Sequence, residues 1–416
     1  MNDAFAEPQR PVGKGFMGLF ALANLGLWMA FFAPIQVLLA QQMALIAPAG
    51  KEAALGWVTG VGALVSLVAN PLFGALSDRT TSRFGRRRPW TLAGAVLGAG
   101  ALAMLGRQTT LAGATLWWCV AQLTLNAMLA ALSAEVPDQV PVSQRAVCSA
   151  WFGVTQPLGV VAGTLLVTAL AGGVSAGYAA VASALLLCAL PFVLRVGNTP
   201  LRREDRPPWR WRAFFAAFWL SPRRFPDFAW AWLTRCLINL GNALATLYLL
   251  YFLRDRVRYE ALFPGETAED GLLILVGVYT AGVLLSAFMA GVLSDRSGRR
   301  KVPVMAASVV MAAASALLAL WPSWPVTIAG AALMGLGYGI YVAVDQALIT
   351  QVLPAAADRG KDLGLINIAN SAPQVLAPAI AALLVTRWGG YPALFLAAAA
   401  VTLLSGGLVH RIRGVR

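Results

Sequence analysis

The chain has 416 residues, of which 59% are hydrophobic and only 12% charged, and its formal net charge is +14. Globular domains carry about 25% charged residues, so this composition excludes a water-soluble surface, and lipid must solvate most of the outside. Four cysteines without CxxC spacing (Cys119, Cys148, Cys188, Cys236), one histidine (His410), no phosphate loop and no nucleophile–base constellation speak against a metal, a cofactor or an enzyme.

The first apolar run, Gly15–Gln42, is too long for a signal-peptide core and lacks a small-x-small cleavage site, so it is read as a membrane span. The next runs are Ala53–Ser77, Pro89–Gly106, Thr109–Ala134, Ala146–Leu170 and Ala176–Leu194. A basic segment follows. Beyond it come Phe228–Leu253, Gly271–Ser294, Val302–Trp321, Pro325–Leu353, Gly364–Thr386 and Tyr391–His410. A helix needs about 20 mostly apolar residues to cross ~30 Å of hydrocarbon. Uncharged runs this long do not suit membrane strands of about ten residues. The expected fold is therefore an all-α membrane protein of twelve transmembrane helices. Its expected divisions are a six-helix unit over 1–195, a basic cytoplasmic linker over 196–226 and a second six-helix unit over 227–416.

Lys and Arg placement predicts the orientation. With the N-terminus cytoplasmic, 25 of the 32 basic residues fall on the inside. Six fall outside, namely Lys51, Arg107, Arg254, Arg256, Arg258 and Arg387, and Arg235 lies within a span. Both termini are expected in the cytoplasm. The net charge is then explained by inner loops beside anionic lipid, with no nucleic-acid partner.

The two halves repeat each other at an offset of 213–217 residues. Gly74-Ala-Leu-Ser-Asp78-Arg79 returns as Gly291-Val-Leu-Ser-Asp295-Arg296, and Asn24-Leu25-Gly26 returns as Asn239-Leu240-Gly241. Gln139-Val140-Pro141 with Arg145 returns as Gln351-Val352-Leu353-Pro354 with Arg359. One order at one offset indicates a duplicated six-helix unit.

The GxxxDRxGRR pattern between spans two and three, repeated between eight and nine, resembles the signature loop of the major facilitator superfamily. The longer first copy, Ser77-Asp78-Arg79-Thr-Thr-Ser82-Arg83-Phe-Gly85-Arg86-Arg87-Arg88-Pro89, resembles the glycoside–cation symporter and sucrose-transporter branch. The resemblance implies two pseudo-symmetric six-helix bundles that act as a monomer. It also implies a central cavity lined by spans one, four, seven and ten, and a cytoplasmic gate latched by Asp78, Arg79, Asp295 and Arg296. Arg145 and Arg359 are further partners for those aspartates. A purely topogenic role for the loops is the alternative.

Arg235 and Asp345 are the charged side chains that lie well inside a span, each about two turns from the cytoplasmic end. Matching depth allows an ion pair, which could be structural, proton-carrying or substrate-contacting. The expected cavity set is otherwise neutral: Asn24, Trp28, Gln36, Gln122, Asn126, Asn239, Asn242, Tyr248, Tyr338, Tyr341, Asn367 and Asn370. Amides and aromatic rings suit a polyhydroxylated neutral ligand, so the expected substrate is a sugar or glycoside, taken up with a proton. The span-two aspartate pair of melibiose-type sodium symporters is missing from Ala53–Ser77, which argues against sodium. Export of drugs or metabolites, and pigment or lipid delivery without transport, are the competing functions.

Overall fold

The computed structural model describes residues 8–169, 172–197, 200–206, 223–297, 300–352 and 359–413. Among them there is no strand. Every long element is a helix, because only a helix satisfies its backbone groups internally where no water can. In chain order these are α1 (Lys14–Ala33), α2 (Lys51–Ser77), α3 (Arg88–Leu105), α4 (Leu111–Gln139), α5 (Val142–Ala169) and α6 (Val174–Arg195). After the linker come α7 (Pro226–Leu247), α8 (Ala268–Ser297), α9 (Lys301–Leu320), α10 (Trp324–Val352), α11 (Arg359–Arg387) and α12 (Gly390–Val409). Each lies on one of the twelve predicted spans. Among the described residues, nine helices are long and apolar enough to cross a membrane, or ten when the bent α7 is taken with its continuation.

Both leading helices are interrupted. Pro34 cannot donate to the helix ladder, and α1 widens into a π turn at Pro34–Leu38 before continuing as Leu39–Ile46. Helix α7 bends by 43° at Tyr248, then continues through Leu249–Phe252 into a π turn at Leu253–Val257. With Asn24 aligned on Asn239, Pro34 corresponds to Leu249, so the two distortions share a register. The π turn of α7 is tied down by an Arg254–Glu269 ion pair and by the Tyr391 hydroxyl, which donates to Asp255 at 2.7 Å.

The chain divides into two compact units, Met1–Ala54 with Val61–Trp209, and Leu55–Gly60 with Arg210–Arg416. In the first, α1 packs on α5 and α6, and α3 packs on α4 and α6. In the second, α7 packs on α11 and α12, and α9 packs on α10 and α12. Among the described residues the second unit adds an extensive α8–α10 contact without a comparable α2–α4 one, but for the helix pairs above adding six converts one list into the other, and there the sequence repeat is also a repeat of packing. Its glycines show why. A Cβ on Gly26 would meet Cys188 of α6 at 2.6 Å, and one on Gly241 would meet Thr402 of α12 at 2.0 Å. Close backbone approach at small residues is how membrane helices gain packing where lipid is as apolar as the protein. The outward faces carry exposed apolar side chains such as Leu64, Leu97, Leu187, Leu285, Val309 and Leu404, as lipid contact demands.

Candidate functional site

In the second unit, α7 presents Arg235, Asn239 and Asn242 at spacings of four and three, and α10 presents Tyr338, Tyr341 and Asp345 at three and four. Both sets fall on one helical face. The two faces meet. Arg235 Nη1 stands 3.1 Å from Asp345 Oδ2, and the two residues are only 5% and 4% exposed. The sequence prediction of a pair at matching depth is thus met by the geometry. The alignment is imperfect: Nη1 is close enough for an ion pair but makes no hydrogen bond among the described residues, while Nε donates to Asn370 Oδ1 of α11 at 2.8 Å.

Around this pair the neutral groups interlock. Asn239 Nδ2 donates to the Arg235 carbonyl at 2.9 Å and lies 3.4 Å from Asn370 Oδ1 and 3.5 Å from the Tyr341 hydroxyl. The Tyr338 hydroxyl donates to Asn239 Oδ1 at 3.2 Å, and Tyr341 bonds the Asp345 carboxylate on its own helix. One turn along α7, Asn242 Oδ1 accepts from Tyr279 of α8 at 3.2 Å, and the Tyr279 ring stacks on Tyr338 with centroids 6.3 Å apart. Tyr279 was not among the predicted liners, because α8 is not one of the helices the resemblance places on the cavity. Tyr248 is fully buried at the bend, its ring 6.0 Å from Tyr251. The side chain of Asn367 lies outside the described residues.

The first unit holds a smaller, uncharged counterpart. Asn126 Nδ2 donates to Gln122 through both its carbonyl (2.8 Å) and its Oε1 (3.2 Å), and Ser66 of α2 donates to Asn126 Oδ1 at 3.1 Å. Asn24 turns inward to its own helix, donating to the Phe20 carbonyl at 2.8 Å. Trp28 packs against Phe31 and Phe32 and under Gly159, and Gln36 sits half-buried in the π turn. At the repeat position of Arg235 stands Phe20, stacked on Phe16. The ion pair therefore has no partner copy, and the two units are chemically unequal.

A second polar cluster closes the loop between α2 and α3. Asp78 Oδ1 receives Arg87 Nη2 at 2.5 Å, and Arg87 Nε reaches Asp138 Oδ2 at 2.7 Å. Arg86 pairs with the other oxygen of Asp138 at 2.8 Å, and Ser77 accepts from Arg87 Nη1. Gly85, at φ 92°, supplies the left-handed turn that sends Arg86 and Arg87 back toward the helix ends. Burial works against the charge on Arg87, but Asp138 and then Asp78 more than offset it and hold the guanidinium above its ordinary range. The sequence reading named Asp78 and Arg79 here. In the structure Arg87 grips Asp78, with Asp138 as its second anchor. A run of three arginines does not reveal which of them folds inward. The side chains of Arg145, Asp295, Arg296 and Arg359 lie outside the described residues.

A hollow of about 490 Å³ lined by Arg254, Arg258, Glu260 and Ala261 lies at the far end of α7. One surface segment builds it, and it is remote from the ion pair.

Among the described residues, long apolar helices with a desolvated ion pair on two facing helices are the build of a multi-pass membrane protein. The Major Facilitator Superfamily family model matches residues 16–268 and 266–414, and the chain belongs to that superfamily. Among its relatives, a general alpha-glucoside permease of Schizosaccharomyces pombe is 29% identical over 126 residues, covering 26% of this chain and 22% of the permease. Multidrug resistance protein MdtL of Salmonella paratyphi C is 31% identical over 141 residues, covering 34% of this chain and 35% of MdtL. The aligned segments thus span a fifth to a third of those relatives. Among solved structures, a peptide transporter POT in complex with sulfate superposes with TM-score 0.77 at 16% identity, covering 99% and 98% of the two chains. The nucleoside transporter NupG superposes with TM-score 0.75 at 13% identity, covering 95% and 98%.

Proposed function

We propose that the protein takes up a neutral sugar or glycoside together with a proton, by alternating access, as a monomer in a bacterial plasma (inner) membrane. The orientation proposed is that of the Lys and Arg bias, with both termini cytoplasmic. The observation that carries the reading is the cluster on α7, α10 and α11. Among the described residues it holds one titratable carboxylate, its guanidinium partner, and otherwise amides and phenols. Amide and hydroxyl groups match a polyhydroxylated ligand in number and geometry, while a buried carboxylate gives a proton a place to ride. Asp78 and Asp138 with Arg86 and Arg87 form the latch of the cytoplasmic gate in the first unit. Asp295 with Arg296 and Arg359 takes that role in the second, and Arg145 supports the first.

The permease relative favours a glucoside, and the multidrug relatives favour the opposite reading, export of amphipathic drugs. A thermal-shift screen on the purified protein separates them, because a ligand bound to the folded state raises Tm by mass action. Maltose and methyl α-glucoside are expected to raise Tm at millimolar concentration, and tetraphenylphosphonium is not. Stabilisation by the cation alone would sink the sugar reading.

A further inference from the structure

Arg235 has two acceptors of different kinds. Asp345 can lose its charge by taking a proton. Asn370 cannot, since an amide oxygen does not titrate at physiological pH. Among the described residues, the charged and titratable groups that face Asp345 are Arg235 from α7 and Tyr341 and Tyr338 from its own helix. When Asp345 is neutral, Asn370 therefore remains to hold the guanidinium. Its oxygen is aimed there by two donors, Arg235 Nε at 2.8 Å and Asn239 Nδ2 at 3.4 Å. The edge opposite is poorly served. Arg235 is 5% exposed, and its Nη1, 3.1 Å from Asp345 Oδ2, makes no aligned hydrogen bond among the described residues, so it would be left unmatched, at a cost, once Asp345 is neutral.

Building on the reading that Asp345 carries the proton, we propose that Asn370 is the positioning residue of the coupling step. It pins Arg235 through Nε, so that the Nη1 edge stays in place when Asp345 is protonated and donates to a substrate oxygen there. The substrate and the Asp345 carboxylate then compete for one guanidinium edge. Substrate binding favours proton binding at Asp345 and the reverse by the same factor, as linkage requires. Without Asn370 the guanidinium would move freely between the two, and the competition would lapse.

The test uses the full-length protein in vesicles with methyl α-glucoside as the probe, following uptake and the proton uptake that accompanies it. Asn370→Leu removes the fixed acceptor, and its KM is expected to rise at least tenfold while downhill exchange at saturation persists. Asn370→Asp gives Arg235 a second carboxylate that can stay charged when Asp345 takes its proton, and the proton-to-solute ratio is expected to fall by half or more. A merely structural asparagine would lower protein yield or Tm without moving that ratio. Wild-type KM and ratio in both variants, with Asp345→Asn uncoupled, would overturn the positioning role alone. Coupled accumulation by Asp345→Asn, or no proton uptake with the probe in the wild type, would overturn the coupling reading and this inference with it.

Discussion

Neutralising either member of the buried pair is expected to damage the protein, and neutralising both is expected to repair its fold without repairing its work. In Asp345→Asn the Arg235 guanidinium keeps Asn370 but loses its counter-ion, and in Arg235→Gln the carboxylate loses its own. Breaking a buried pair from one side costs on the order of 3–5 kcal/mol, because a charge is left in a medium that cannot solvate it. Each single variant is therefore expected to unfold at clearly lower temperature than the wild type. The double variant Arg235→Gln with Asp345→Asn buries no charge and is expected to recover most of that loss. The interaction energy between two touching sites is the quantity such a cycle isolates. Recovery of stability should not bring back accumulation of methyl α-glucoside against a gradient, because the proton's seat has gone. Exchange down a gradient should persist only at a raised KM, because the guanidinium edge offered to the substrate has gone as well. Single variants indistinguishable from wild type in Tm and transport would mean that the two side chains do not depend on each other.

Arg87 carries the second large effect. Its three nitrogens serve Ser77, Asp78 and Asp138 at once, joining the end of α2 to the end of α4. Hydrogen bonds to charged groups contribute about 1.5–3 kcal/mol each when partly buried. The Asp78 side chain is 54% exposed, so water screens its share and that bond is weaker than the one to Asp138. Arg87→Ala is expected to slow transport at least tenfold and to lower Tm by several degrees. Arg87→Lys restores the charge but is a single point donor in place of a planar fork, and it is expected to recover little. Asp78→Asn, which weakens one bond of the three, should have a smaller effect than either. Full activity in Arg87→Lys would show that charge alone suffices and that the latch geometry is irrelevant.

The helices were legible because hydrocarbon leaves a chain few choices. Runs such as Val174–Arg195 and Gly390–Val409 are apolar on every side, and only a helix keeps their backbone paired. The Arg235–Asp345 contact was legible for the related reason that charge is rare within a span and seeks its opposite. Asn239 and Asn370 were named as solute contacts, but their partners were not readable. Which amide meets which guanidinium depends on how α7 turns against α11, and no periodicity in α11 reports that angle. Tyr279 was missed although it lies at the same level as Asn242, because the choice of cavity helices came from resemblance and left α8 out. A tyrosine within an apolar span is the signal that could have found it, since its hydroxyl must find a partner when buried. Arg87 stays hidden among Arg86 and Arg88, because the left-handed Gly85 turn that sends Arg86 and Arg87 inward leaves no mark in a run of three like residues.

The most direct measurement of the central claim is the pH change outside vesicles containing the reconstituted protein when methyl α-glucoside is added without any imposed gradient. A coupled carrier draws protons inward with the solute. The external medium is expected to turn alkaline with the wild type and to stay unchanged with Asp345→Asn, although labelled glucoside still equilibrates across both membranes. Equal alkalinisation by the two proteins would contradict the assignment of Asp345 as the proton's seat.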